Sequence, residues 1–151
     1  MPIGIKDQYF GTEIEMTGIT RRKAAEAVAE LFGTHIENDG GYYGVWSVVD
    51  PDGKKWKFMY DGSIQTQRRV NGQMQWADSD YSTEMVSPKL EYGEMEKLQE
   101  VVRCLRKHGA RVNSSCGMHV HIDAANHTAR SLKNALTIIC LLYTSDAADD
   151  S

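Results

Sequence analysis

Gly117-Met118-His119-Val120-His121-Ile122-Asp123 alternates apolar and polar side chains from Met118 onward. Period-2 alternation is the pattern of a β-strand, so His119, His121 and Asp123 project from one face. Met118, Val120 and Ile122 then form the opposite, core-facing row. Two imidazoles and a carboxylate at this spacing can share one cation. Two histidines on the solvated face of a sheet would produce the same pattern, and this stretch alone does not separate the two readings.

Far upstream, Phe10-Gly11-Thr12-Glu13-Ile14-Glu15-Met16 repeats the geometry with carboxylates. Glu13 and Glu15 share a face, while Phe10, Ile14 and Met16 bring apolar bulk. A charged row usually marks the wet side of a sheet. Like charges side by side are unfavourable unless a cation lies between them. An acidic row and a histidine row, both on segments suited to a core, therefore point toward a bound cation.

The stretches between these two alternate irregularly. Thr20 is placed to cap a helix over 21–32, with Ala24, Ala27, Val28, Leu31 and Phe32 on one face and Gly33 as its stop. The basic first turn, Arg21-Arg22-Lys23, opposes the helix dipole; these are surface charges unless Arg21 or Arg22 has a specific partner. Residues 42–49 and 55–60 read as strands joined by Asp50-Pro51-Asp52-Gly53, a hairpin turn. Asp61-Gly62-Ser63-Ile64 is a second turn, able to present Asp61 at a strand end. Residues 67–80 read as a polar loop and 82–87 as a further strand carrying Glu84. Residues 92–108 form the clearest helix, striped with Met95, Leu98, Val101, Val102 and Leu105, acids first and bases last. Residues 112–123 contain the histidine strand, and a final helix begins near Thr128. Hairpin signals mixed with helices favour an α+β fold with an antiparallel-rich sheet and flanking helices over a doubly wound sheet.

At 151 residues the chain suits one domain, and 41% hydrophobic with 25% charged residues is ordinary for a globular protein. The net charge of −4 is unevenly placed: residues 140–151 hold three aspartates and no base, leaving 17 basic against 18 acidic side chains upstream. That balance excludes the basic stripe of a nucleic-acid binder. Cys104, Cys116 and Cys140 show no C-x-x-C spacing, which argues against a thiolate zinc site and fits a reducing cytoplasm. Met1-Pro2-Ile3-Gly4 leads into polar residues, not a signal peptide, and no apolar run is long enough to span a membrane. The longest, Ala135 to Leu142, reads as a buried helix face.

The chemistry-bearing residues are then Glu13, Glu15, Asp61, Glu84, His119 and His121, with Asp123 as a possible extra. Carboxylate oxygens suit Mg²⁺ or Mn²⁺, and imidazoles shift the preference toward Mn²⁺ or Zn²⁺. An oxygen-rich site on a sheet face can hold nucleotide phosphates through bridging metals. No phosphate-binding G-x-x-x-x-G-K-[ST] loop, H-E-x-x-H helix or G-x-S-x-G elbow is present. Residue types alone leave a metal-dependent enzyme of phosphoryl-transfer or hydrolytic kind.

Five blocks occur in order: Phe10-Gly11-Thr12-Glu13-Ile14-Glu15; Trp56-Lys57 leading to Asp61-Gly62-Ser63-Ile64; Glu84-Met85-Val86-Ser87-Pro88; Gly109-Ala110; and Cys116-Gly117-Met118-His119-Val120-His121. Together, over about residues 8–139, they resemble the amidoligase family, carboxylate–amine ligases with a glutamine-synthetase-like catalytic sheet. The resemblance implies ATP-dependent joining of a small-molecule or peptide carboxylate to an amine through an acyl phosphate. It implies Glu13, Glu15, Glu84, His119 and His121 as ligands for Mg²⁺ (or Mn²⁺) and the ATP phosphates. Glu84, Asp61 and Ser63 would carry the catalytic end of the pocket. A metal-dependent hydrolase built on His119 and His121, and a non-catalytic binding domain presenting Trp46, Trp56 and Trp76, are the competing readings.

Family members continue well past the last helix, whereas here Cys140-Leu141-Leu142-Tyr143-Thr144-Ser145-Asp146-Ala147-Ala148-Asp149-Asp150 resembles the translation of a sequencing-library adapter end. That implies a catalytic portion at 1–139, an incomplete sheet and site, and a non-native tail at 140–151. A genuine acidic tail is the alternative.

Overall fold

The computed structural model describes residues 4–125 and 127–149, with side chains described through Leu141. The readings of Met1–Ile3 as part of a non-signal start, and of the tail's Asp150 and Ser151, lie outside the described residues, as do side chains from Leu142 onward. Eight strands form: β1 (Phe10–Met16), β2 (Ile36–Gly40), β3 (Val45–Val49), β4 (Lys55–Met59), β5 (Gln67–Val70), β6 (Gln73–Trp76), β7 (Thr83–Val86) and β8 (Met118–Ile122). The helices are α1 (Arg21–Phe32), α2 (Met95–Lys107) and α3 (Ala129–Asp149). Six strands make one sheet in the order β2-β3-β4-β7-β1-β8, every pair antiparallel; β5 and β6 pair separately. The α+β expectation with an antiparallel sheet holds.

One face of the sheet is covered. Even-numbered residues of β1 and their partners point toward α1 and α2, and Val28, Trp56, Phe58, Met85, Leu90, Val101 and Leu105 are buried between them. Each large side chain so buried contributes about 1.5–3 kcal/mol. Thr20 caps α1 by accepting the Lys23 N–H (3.3 Å), and Gly33 ends it in the left-handed conformation at φ 68°. Leu31 and Val102, placed on apolar stripes by the sequence, sit at the margins of this layer and are exposed. Trp56 donates its indole N–H to Asp50 (3.1 Å), tying the core to the β3–β4 turn.

Arg21 resolves the misfit of a basic helix start. Its guanidinium donates to the carbonyls of Gly44 (3.2 Å), Ser79 (2.7 Å) and Ser82 (2.9 Å) and pairs with Asp80. It therefore joins α1 to the segment leading into β7. Arg22 is a surface charge, paired with Glu26 and lying over the Trp46 ring.

Four expectations need correction. Residues 67–80 are not a loop: β5 and β6 form a hairpin around Asn71-Gly72, both at positive φ (49° and 82°), the type I′ geometry. Met118, Val120 and Ile122 do point to the helix side, but they are more than half exposed because β8 is an edge strand that the described helices do not reach. The apolar stretch 135–141 is likewise exposed and forms no part of the buried core among the described residues. The three tryptophans make no common surface, for Trp56 is fully buried and Trp76 is exposed on β6. Among the described residues no helix is long and apolar enough to cross a membrane.

Candidate active site

The uncovered face of the sheet carries the chemistry. Residues directly opposed in antiparallel strands point to the same side. One row across the sheet reads Lys57, Val86, Glu13, His119; the next reads Met59, Glu84, Glu15. His121 stands opposite Gly11 on the same face. Register thus gathers Glu13, Glu15, Glu84, His119 and His121 on three neighbouring strands, β7, β1 and β8.

Asp61 joins them from the turn after β4. The Asp61 N–H donates to Ser82 Oγ (3.0 Å), while Ser82 Oγ donates to the Asp61 carbonyl (2.6 Å), anchoring the turn to the entry of β7. The Ser63 N–H donates to Asp61 Oδ1 (2.7 Å). Ser63 thereby orients Asp61 through its backbone, and its exposed side chain forms no described contact with the other site residues.

Carboxylate oxygens of Glu15, Asp61 and Glu84 lie within 4.8 Å of one another. Glu15 is buried and accepts the Gly117 N–H (2.6 Å). Burial, followed by the charges of Glu13, Asp61 and Glu15, pushes the Glu84 carboxyl above its ordinary value. Glu13 sits differently: His119 Nδ1 and His121 Nε2 each approach one of its oxygens at 3.2 Å. An ionised carboxylate only accepts, so each ring presents an N–H on the side facing Glu13. The His119 hydrogen bond holds the Glu13 carboxyl below its ordinary value against the opposing effect of burial, with His121 helping. The two imidazoles are mostly exposed.

A second close group of acids shows what cation compensation by protein looks like. Asp50, Asp52 and Glu94 also converge, but Lys97 contacts all three and Lys54 contacts Glu94. No lysine or arginine ion pair reaches Glu15, Asp61 or Glu84 among the described residues. Hard oxygen donors, close spacing and uncompensated charge fit a divalent cation such as Mg²⁺ or Mn²⁺.

Asp123 is outside this group. Its carboxylate pairs with Lys89 (2.9 Å) and accepts the Ala125 N–H (2.8 Å), because β8 ends at Ile122 and the chain turns away. What the sequence reading missed is the β5–β6 hairpin beside the site. Thr17, two residues after Glu15, is fully buried; its hydroxyl donates to the Gln67 carbonyl (3.0 Å) and accepts the Gln67 N–H (2.8 Å). The hairpin is therefore rooted next to Glu15 and lies in sequence between Asp61 and Glu84. Asn71-Gly72, the strongest short hairpin signal, could have revealed it.

No curated protein and no solved structure matches this chain significantly. A family model described as "putative amidoligase enzyme" matches residues 6–145. With that match spanning both glutamate and histidine strands, the chain belongs to the amidoligase family, a family of ligase-type enzymes.

Proposed function

We propose that this chain carries the cation and nucleotide site of an ATP-dependent carboxylate–amine ligase. The observation that carries the reading is the convergence of Glu15, Asp61 and Glu84 on an open antiparallel sheet, with no lysine or arginine ion pair to them among the described residues. Family membership supports amide-bond chemistry, and the site residues supply the means to hold polyphosphate through a divalent cation. When bound, ATP and its metal supply an activated phosphoryl group: a carboxylate oxygen takes it with release of ADP, and an amine then displaces phosphate and loses a proton, leaving the amide.

The chain's own residues position these partners. Glu15 and Glu84, on adjacent strands, and Asp61 hold the cation; Gly117 and Ser63 fix two of the carboxylates by backbone N–H groups. Glu13 orients His119 and His121, whose outward edges are exposed toward ligand. Their engagement with Glu13 disfavours the hydrolase reading, which needs imidazoles free to ligate a water-bearing metal. The glutamine-synthetase-like relation of the sheet belongs to the same proposal.

The test is ADP release from Mg²⁺ and ATP, followed with panels of carboxylates and amines added singly and together. Release that requires both supports the ligase. Metal-dependent bond cleavage without ATP overturns it.

A further inference from the structure

Four lysines on and around the main sheet are committed to carboxylates. Lys55 Nζ lies 3.2 Å from both Glu37 and Asp39 at the β2 edge. Lys54, Lys89 and Lys97 meet Glu94, Asp123 and the Asp50–Asp52–Glu94 group. Lys57 differs. It is exposed, shares the open face with the carboxylates, and forms no ion pair among the described residues; its charge acts on Asp39 only through space.

Its position is fixed by register. Lys57, Val86 and Glu13 occupy one row, and Glu84 and Glu15 lie in the row beside it. Lys57 and Glu13 are separated by two strand spacings, about 10 Å between backbones, with Val86 as an apolar floor. The cluster of Glu15, Asp61 and Glu84 lies in the neighbouring row, diagonal to Lys57, so one tetrahedral anion on the floor can meet both the flexible ammonium and a cation held by the carboxylates. Glu15, Asp61 and Glu84 together exceed the charge of one divalent cation, so an anionic ligand bound there needs a further positive partner.

Resting on the nucleotide reading above, we infer that Lys57 binds the terminal phosphoryl oxygens of that nucleotide, opposite the cation held by Glu15, Asp61 and Glu84. Lysine suits this as a point charge on a mobile stem. The role belongs to ligand binding and places no demand on the fold, because the side chain is exposed.

Titration calorimetry with Mg²⁺ and ATP, ADP or AMP tests it, using the chain beside Lys57→Met, Lys57→Arg and Lys55→Met, each checked for an unchanged thermal midpoint. A lost charge-assisted contact predicts that Lys57→Met weakens ATP about tenfold, with AMP changed by less than about twofold. Lys57→Arg retains most of the affinity, and Lys55→Met leaves it unchanged. Equal ATP affinity in Lys57→Met and the parent overturns the assignment alone. Equal losses in Lys55→Met and Lys57→Met also overturn it, since they would report a diffuse field. Failure of the parent to bind any of the three nucleotides overturns the nucleotide reading and this inference with it.

Discussion

Replacing Glu84 by glutamine should stabilise the cation-free protein and at the same time abolish its response to Mg²⁺. Glu84 shares a 4.8 Å neighbourhood with Glu15 and Asp61, and burial and those charges already push its carboxyl upward. Two unit charges at about that distance repel by roughly 3 kcal/mol at an effective dielectric constant near 20. Water on the open face screens this, leaving about 1–2 kcal/mol to be relieved by a neutral amide of the same shape. For a chain of this size that is an increase of about 2–8 °C in thermal midpoint. In the parent protein, Mg²⁺ at about ten times its dissociation constant adds roughly 1.4 kcal/mol by mass action, so the parent should climb with Mg²⁺ while Glu84→Gln stays level. Differential scanning calorimetry at neutral pH with and without Mg²⁺ reads both effects. A Glu84→Gln midpoint below the parent's without metal, or an equal Mg²⁺ shift in both proteins, would refute the cation-site argument.

Three further outcomes follow from individual contacts. Arg21→Ala removes a half-hidden guanidinium from three carbonyls and Asp80, and urea unfolding should show a loss of about 2–4 kcal/mol. Thr17→Val strips both hydrogen bonds from Gln67; amide exchange should quicken in residues 67–76 more than in β1 or β7, with a cost of about 1–3 kcal/mol. Asp50 is pushed up by burial, but hydrogen bonds from the Lys54 amide, the Trp56 indole and Lys97 outweigh that and hold its carboxyl below the ordinary value. The stability it contributes is therefore present above the unfolded value and lost as pH falls through the folded one. Urea unfolding should place Asp50→Asn about 2–4 kcal/mol below the parent near pH 7, with the gap closing as the pH falls below the ordinary aspartate range; a gap independent of pH would exclude this account.

Period-2 patterning correctly set Glu13 with Glu15 and His119 with His121 on shared faces, because alternation is a local property of the extended chain. Helix caps at Thr20 and Gly33 were legible for the same reason. The β5–β6 hairpin was legible too, through Asn71-Gly72, but the polar character of its strands hid it: neither face packs on the main core, so no apolar alternation marks them. Arg21 could be flagged as a misfit from the dipole argument, yet its partners come from residues 44, 79, 80 and 82, which no local pattern links to it.

The family, the strand faces and the chemical types in the site follow from short ordered blocks, since each block is its own evidence. How those faces meet does not. Antiparallel register put Glu15 opposite Glu84 and Glu13 opposite His119, and the turn at Asp61 supplied the third carboxylate. Seven candidate residues thus separated into a carboxylate cluster and a glutamate clasped by two imidazoles, with Ser63 reduced to a backbone donor, while Asp123 left the site for Lys89. Register, side-chain reach and competition among charges are long-range properties, so they arise only when distant strands pair. The same pairing left β8 at an edge, which is why a row that alternates as a core strand should is open to water.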